Sequence, residues 1–370
     1  MGDIKLKVLL HDLKHALMTG RLSLTRRRFN RAGLLSAAML AVPLTWAQRQ
    51  GARERLVLAL SNKAVLQHLP VVLAEQLGYF RAEGLQLEIS DLQDDARTRS
   101  ALLDGSVDVA VLPFDETIQQ QERQAWRPQW LQSIVLLGRA PQMALGLAQR
   151  HLDHFQATRS WRGKRIGMAL ADVYPQRLVQ LFLERVGIRS DEVQWVGVTS
   201  TADALMALRR EQIDAVSISD PAMTMLEHRG EVRVIADTRT LSGAREVFGG
   251  PVPGACLCVS HAFARKQAQS CQALANGIVH ALKWLQTAGA SDILKTVPEP
   301  LMLSDRALYL AAFNNVREAY SPDGLVSTEG PSNLLKALSR LDARTPTGRI
   351  DLSQTYTNQF AQRAKDRFKA

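Results

Sequence analysis

Cysteine is scarce in this chain: Cys256, Cys258 and Cys271 are the only three in 370 residues. No CxxC pair occurs, and no Cys/His spacing suits zinc. Cys256 and Cys258 share one face of a strand-like run, which is a poor geometry for a mutual disulfide. One of them could pair with Cys271 and leave one over. The default expectation is buried cysteines acting as small hydrophobes. Equally missing are a G-x-S-x-G elbow, an HExxH helix and a GxxxxGK[ST] phosphate loop. His151 and His154 lie three apart, but no third ligand accompanies them, so a solvated surface is expected. No catalytic group, metal or cofactor is expected. Beyond residue 47, no apolar stretch is long enough to cross a membrane.

The body of the chain also lacks a strong excess of base. Formal net charge is +10, but residues 1–47 hold eight Lys/Arg against two acids, and the remainder has 38 bases against 34 acids. A nucleic-acid partner therefore loses most of its support. The basic leader has its own logic. Thr25–Arg31 reads TRRRFNR, an apolar stretch runs from Ala32 to Trp46, and the small Ala47 follows. A charged region, a short apolar core and a small-residue exit describe an export signal cleaved near Ala47. The paired arginines before Phe29 resemble a twin-arginine signal, which implies the twin-arginine export machinery as a partner. A retained anchor is the alternative. No cysteine follows the apolar core, so a lipid anchor is not expected.

What is present is a repeating α/β grammar. Leu56–Leu60 reads as a buried strand, Pro70 opens a helix with Leu69, Val72, Leu73 and Leu77 on one face, and Gly78 closes it. Leu85, Leu87 and Ile89 alternate as a strand. A second helix stops at Gly105, and Val107, Val109 and Val111 make a third strand. This β-α-β-α-β order implies a parallel sheet, whose ligands sit beyond the carboxyl ends of the strands. The loops Ser61–His68 and Pro113–Thr117 are the places to look. Ser133–Leu137 and Ala144–Ala148 flank Pro141 as a connection between lobes. The unit then recurs: Leu102…Val107-Asp108 aligns with Leu208…Ile213-Asp214, and Glu75–Gly78 with Glu184–Gly187. Asp108 and Asp214 are expected to satisfy backbone at strand starts. Thr201 is expected to cap a helix. After the strand Ala255–Ser260 the chain turns helical, over Ala262–Trp284, Ser291–Val297, Ser304–Tyr320 and Pro331–Leu341.

Several stretches point one way. Pro70–Phe80 (PVVLAEQLGYF) followed by Glu83–Glu88 resembles the opening of solute-binding proteins of ABC importers. The nearest group is the nitrate/sulfonate/taurine type, related to thiamine-pyrimidine-precursor binders. Leu102–Asp108, Trp161–Gly167 and Gln212–Ala215 with Asp220-Pro221 match the successive landmarks of that family. The resemblance spans about Leu56 to Trp284. It implies a two-lobed, type II periplasmic-binding-protein-like fold, each lobe a mostly parallel sheet flanked by helices, with a helical C-terminal part. The boundaries read as a signal over 1–47, lobe one over 52–138, lobe two over 139–250, a return to lobe one with helices over 251–345, and a tail over 346–370. It further implies an ABC permease in the inner membrane as partner, a periplasmic location and a monomer.

The expected ligand contacts are Ser61, Asn62, His68, Phe114 and Asp115 from lobe one, and Asp172, Tyr174, Thr199, Ser200, Ser219 and Asp220 from lobe two. The loop after the first strand of lobe two departs from the family. Where Gly and Ser would suit an anion, it reads Ala169–Pro175 (ALADVYP), with a carboxylate in it. Asp115, Glu116 and Asp220 add further acids, against Lys63 and His68 as the nearby bases. A polar or cationic ligand with an amine or a pyrimidine-like ring is therefore expected first, and sulfonate or nitrate second. Phe114 and Tyr174 would stack on such a ring. An enzyme on the same scaffold, resembling pyrimidine-precursor synthases with His68 as base, is the alternative class. A sensor presenting ligand to a membrane receptor is a third.

Overall fold

The computed structural model describes residues 54–123, 130–154, 161–341 and 350–370. The twin-arginine and cleavage readings lie outside these residues. The first half builds β1 (Glu54–Leu60), α1 (Leu69–Gln76), α2 (Tyr79–Ala82), β2 (Leu85–Asp91), α3 (Asp95–Asp104), β3 (Val109–Pro113), α4 (Asp115–Arg123) and β4 (Leu131–Leu136). The chain then crosses over to β5 (Met143–Ala148), β6 (Arg165–Met168), α5 (Val173–Arg185), β7 (Gln194–Gly197), α6 (Thr201–Arg209), β8 (Ala215–Ser219), α7 (Ala222–His228), β9 (Val232–Asp237) and α8 (Leu241–Phe248). It crosses back to β10 (Ala255–Ser260) and continues through α9 (His261–Lys266), α10 (Ala268–Thr287), α11 (Ala290–Thr296), α12 (Arg306–Val316), α13 (Gly330–Leu341) and α14 (Gln359–Phe368).

Each lobe holds a five-stranded sheet, ordered β2-β1-β3-β10-β4 and β7-β6-β8-β5-β9. The two orders are the same plan. In both, three parallel strands come from consecutive β-α units, and the fourth is an antiparallel strand delivered just after a crossing, β10 in one and β5 in the other. The repeat expected from sequence is visible in its details. Gly78 and Gly187 both end a helix with φ of 73°, a conformation in which a side chain would be strained. Asp108 Oδ2 accepts the Val57 N–H at 2.8 Å, and Asp214 Oδ2 accepts the Arg165 N–H at 2.9 Å. Each aspartate thus ties the start of its lobe's third strand to the first. Asp214 is bound more firmly, since Arg150, Arg165 and His151 all reach its Oδ1. Burial pushes its carboxyl up, but the hydrogen bonds from Arg165 and His151 prevail and hold it well below the ordinary range. His151 is therefore part of a clamp and not a free surface residue.

The crossings run side by side, with the Gly254 N–H donating to the Gly138 carbonyl at 2.7 Å. A Cβ at Gly254 would lie 2.1 Å from the Ala140 carbonyl oxygen, so only glycine permits this approach. One core packs the outer face of the first sheet against α10, α12 and α14, through Leu58, Leu257, Leu274, Ile278, Phe313 and Phe360. A second runs from Leu112 and Cys256 past Val252 at the crossing into Ile166, Leu178 and Leu181 of the other lobe, with Leu334 and Leu338 of α13 against it. The stretch read as a tail carries α14, whose Phe360, Ala361 and Ala364 are buried.

Some boundaries differ from expectation. Ala262–Trp284 is two helices, because the Ser260 hydroxyl caps a short α9 at the Phe263 N–H and the backbone breaks at Gln267 before α10. The cap of α6 is Ser200, which accepts the Asp203 N–H, and not Thr201. Among the described residues, no helix is long and apolar enough to cross a membrane.

Candidate functional site

The carboxyl ends of both parallel sheets face each other across a cavity of about 170 Å³. Ser61 and Asn62 come from the loop after β1, Gln93 and Asp95 from that after β2, and Asp172 and Tyr174 from that after β6 into α5. Thr199 and Ser200 follow β7, and Ser219 and Asp220 end β8. Eight of the eleven residues expected from sequence therefore line one cavity. The other three do not. His68 is buried beneath the first loop and its Nδ1 donates to the Asn62 carbonyl at 2.6 Å. Burial brings its imidazole down to about 4, in spite of that hydrogen bond and of Asp91. His68 pins the loop from below as a neutral ring. Phe114 is fully buried at a centroid distance of 6.2 Å from Tyr356. The loop after β3 is occupied instead by the returning chain, the Phe114 N–H donating to the Gly254 carbonyl. Asp115 is buried in an ion pair with Arg177 and also accepts from Gln119.

The charge balance differs from the one expected. Lys63 and His68 are not the relevant bases, because three arginines distant in sequence reach the acids. Arg177 pairs with Asp115, Arg99 with Glu116 at 3.0 Å, and Arg239 with Asp220 at 3.2 Å. Arg239 also holds Glu227 and Asp237, so Asp220 sits inside a closed network, its Oδ1 on the Thr224 N–H. None of these arginines lines the cavity, whose wall contains no Lys, Arg or His.

Asp95 and Asp172 are left without a cation: among the described residues, no ion pair reaches either. Asp95 opens α3 in lobe one, and Asp172 precedes α5 in lobe two at the N-cap position without a capping hydrogen bond of its side chain. The Asp95 N–H donates to Asp172 Oδ1 at 2.8 Å across the cleft, beside a second bridge in which the Leu66 N–H donates to the Asp220 carbonyl. Asp95 is 5% exposed and its Oδ1 has no hydrogen-bond partner. Burial first, then the Asp172 carboxylate, pushes the Asp95 carboxyl up to about 8, the Ser61 hydroxyl opposing. Asp172 is also raised, by burial and then by Asp94, against the hydrogen bond from the Asp95 N–H. Two carboxyl groups in one cavity cannot both ionise cheaply, and at neutral pH the neutral form of Asp95 is favoured.

Two of the helix N-termini at the cavity, those of α3 and α6, are capped by the chain's own side chains: Asp94 accepts from the Arg97 N–H, Ser200 from Asp203, and Asp203 from Thr199. Tyr174 presents its ring to the cavity while its hydroxyl donates to the Pro253 carbonyl at 3.1 Å. Sequence reasoning missed Asp95 and Gln93, although they follow a recognised strand and the same carboxyl-end rule points to them. It also missed the apolar wall, made of Val65, Met143, Val198, Ile218, Ala222 and Leu303.

Residues 65–286 match the family described as NMT1/THI5 like. A solved structure of a protein from Bordetella bronchiseptica RB50 is 34% identical, with a TM-score of 0.79, and the match covers 87% of this chain and 99% of that one. YtlA of Bacillus subtilis (strain 168), itself named only as a prospective binding protein, is 20% identical over 308 residues, 80% of this chain and 86% of its own length. The alkanesulfonate-binding protein SsuA from Xanthomonas axonopodis pv. citri, solved bound to MOPS, has a TM-score of 0.62 at 18% identity, covering 82% of this chain and 98% of that one. At that identity the likeness concerns the fold.

Proposed function

The chain belongs to the NMT1/THI5-like family, and from that premise we propose that it is the exported, ligand-capturing component of an ABC importer, closing two lobes on a small organic cation. The observation that carries the ligand class is the Asp95–Asp172 pair. Two carboxyl groups, one per lobe, meet in a cavity whose wall has no base. An ammonium placed against them favours the ionised form of both, relieves their repulsion and gives Asp95 Oδ1 a partner. Because the two acids belong to different lobes, such a cation stabilises the closed arrangement by touching both. The Ser61, Asn62, Thr199, Ser200 and Ser219 side chains add donors and acceptors for further polar groups. The size suits a compact molecule, since an apolar cavity of about 150 Å³ takes benzene.

The export route, the permease partner and the periplasmic location come from the family and the leader sequence. The Xanthomonas relative is an alkanesulfonate-binding protein, but this wall supplies no Lys, Arg or His to a sulfonate and carries two carboxyl groups that would repel it. His68, tied down and off the wall, offers no base to a bound molecule, so the carrier reading is preferred over an enzyme.

Isothermal titration at pH 8 with methylammonium, benzylammonium, taurine and nitrate tests the reading. The amines are expected to bind stoichiometrically without turnover, and to fail with Asp172→Asn. Binding of taurine or nitrate with none of the amines overturns it.

A further inference from the structure

Leu303 sits in a turn that a leucine should avoid. Its φ is 51° and that of Ser304 is 59°. The Asp305 N–H donates to the Met302 carbonyl at 3.0 Å. Two successive central residues with positive φ inside such a bond are the signature of a turn normally given to glycine or asparagine, because a Cβ there crowds the following carbonyl. Both ends of the turn are fixed. Met302 is buried in the first core, and Asp305 Oδ1 accepts the Leu308 N–H at 2.9 Å to cap α12. The side chain so presented does not go into a core. Leu303 is 37% exposed and stands on the wall of the cleft, brought there from a segment far along the chain from the other lining residues. Strain held in place by its surroundings at a cleft marks a residue kept for contact with what the cleft receives.

We propose that Leu303 is a specificity-determining residue that covers the apolar end of the bound cation. The ligand class is then an ammonium carrying a compact aliphatic or aromatic body. Its charged end lies at Asp95 and Asp172, and its apolar end meets Leu303, with Met143 and Ile218 as further apolar groups of the same wall. This rests on the cation reading of the same cleft.

The test uses the full chain and two probes, benzylammonium and methylammonium, titrated into the unaltered protein, Leu303→Gly and Leu303→Asn, with thermal melts of all three. Both substitutions tolerate the left-handed backbone, so neither is expected to lower the melting temperature. Benzylammonium binding is expected to weaken about tenfold in both variants, as for loss of an apolar contact of this size, while methylammonium changes by less than roughly twofold. Unchanged benzylammonium affinity overturns the proposal. So does equal weakening of both probes, which would mark a structural role. Methylammonium binding without benzylammonium binding in the unaltered protein also overturns it, while leaving the cation reading intact. If neither probe binds the unaltered protein, the cation reading itself fails and takes this inference with it.

Discussion

Replacing Asp95 by asparagine is expected to stabilise the unliganded protein, and by more as pH rises. The carboxyl moves from an ordinary 3.8 to about 8 on folding, because it is buried beside Asp172. A raised carboxyl favours its neutral form, so its cost is absent below pH 4, grows through the interval, and is complete above pH 8. Each pH unit in that window is worth about 1.4 kcal/mol, so the asparagine variant should gain about 3 kcal/mol on the unaltered protein between pH 5 and pH 7. Only below about pH 4 should the two be nearly alike, since a protonated carboxyl and an amide have similar shape; at pH 5 the variant should already lead by about 1.5 kcal/mol. Urea melts followed by tryptophan fluorescence at pH 5, 6, 7 and 8 measure the difference directly. The reasoning is refuted if the two stability curves run parallel across that range. It is refuted more plainly if the asparagine variant is the less stable one at pH 8.

Asp214→Ala should destabilise far more than Asp108→Ala, by about 3 kcal/mol against about 1, because it strands Arg150 and Arg165 as well as a backbone N–H; paired denaturant melts at pH 7 read the contrast. Arg239→Met should cost at least about 3 kcal/mol, since it leaves Asp220 buried and unpaired. Part of that loss should return when Asp220→Asn is added, which a double-mutant cycle measures. Gly277→Val should lower the melting temperature, because even the first carbon of a side chain on α10 would lie 2.5 Å from the Phe80 ring. A cost of about 1–3 kcal/mol is expected for such overpacking, and Phe80→Leu should recover some of it.

Local signals carried much of the fold. Gly105 stops α3 at a φ of 82°, as its place after Leu102–Leu103 implied, and the matching Asp108 and Asp214 positions disclosed the internal repeat through a shared backbone role. The loops after β1, β6, β7 and β8 were readable for the same reason, since strand ends are written in local pattern. The loop after β3 was not, because the chain returning through Gly254 fills it, and that contact joins residues far apart in sequence. The acids were misjudged by the same kind of blindness. Arg99, Arg177 and Arg239 neutralise Glu116, Asp115 and Asp220 only once helices and strands are packed. What survives that neutralisation is Asp95 with Asp172, and nothing local marks Asp95 as different from its capping neighbour Asp94. Leu303 was equally hidden, since a leucine in a turn looks like packing until its backbone angle and its place on the wall are seen.

Native mass spectrometry of the protein recovered from its own compartment puts the central claim to the most direct test. One small basic organic molecule should travel with each chain, and it should vanish when Asp95→Asn and Asp172→Asn are combined. An anionic passenger such as a sulfonate, retained by that double variant, would contradict the account.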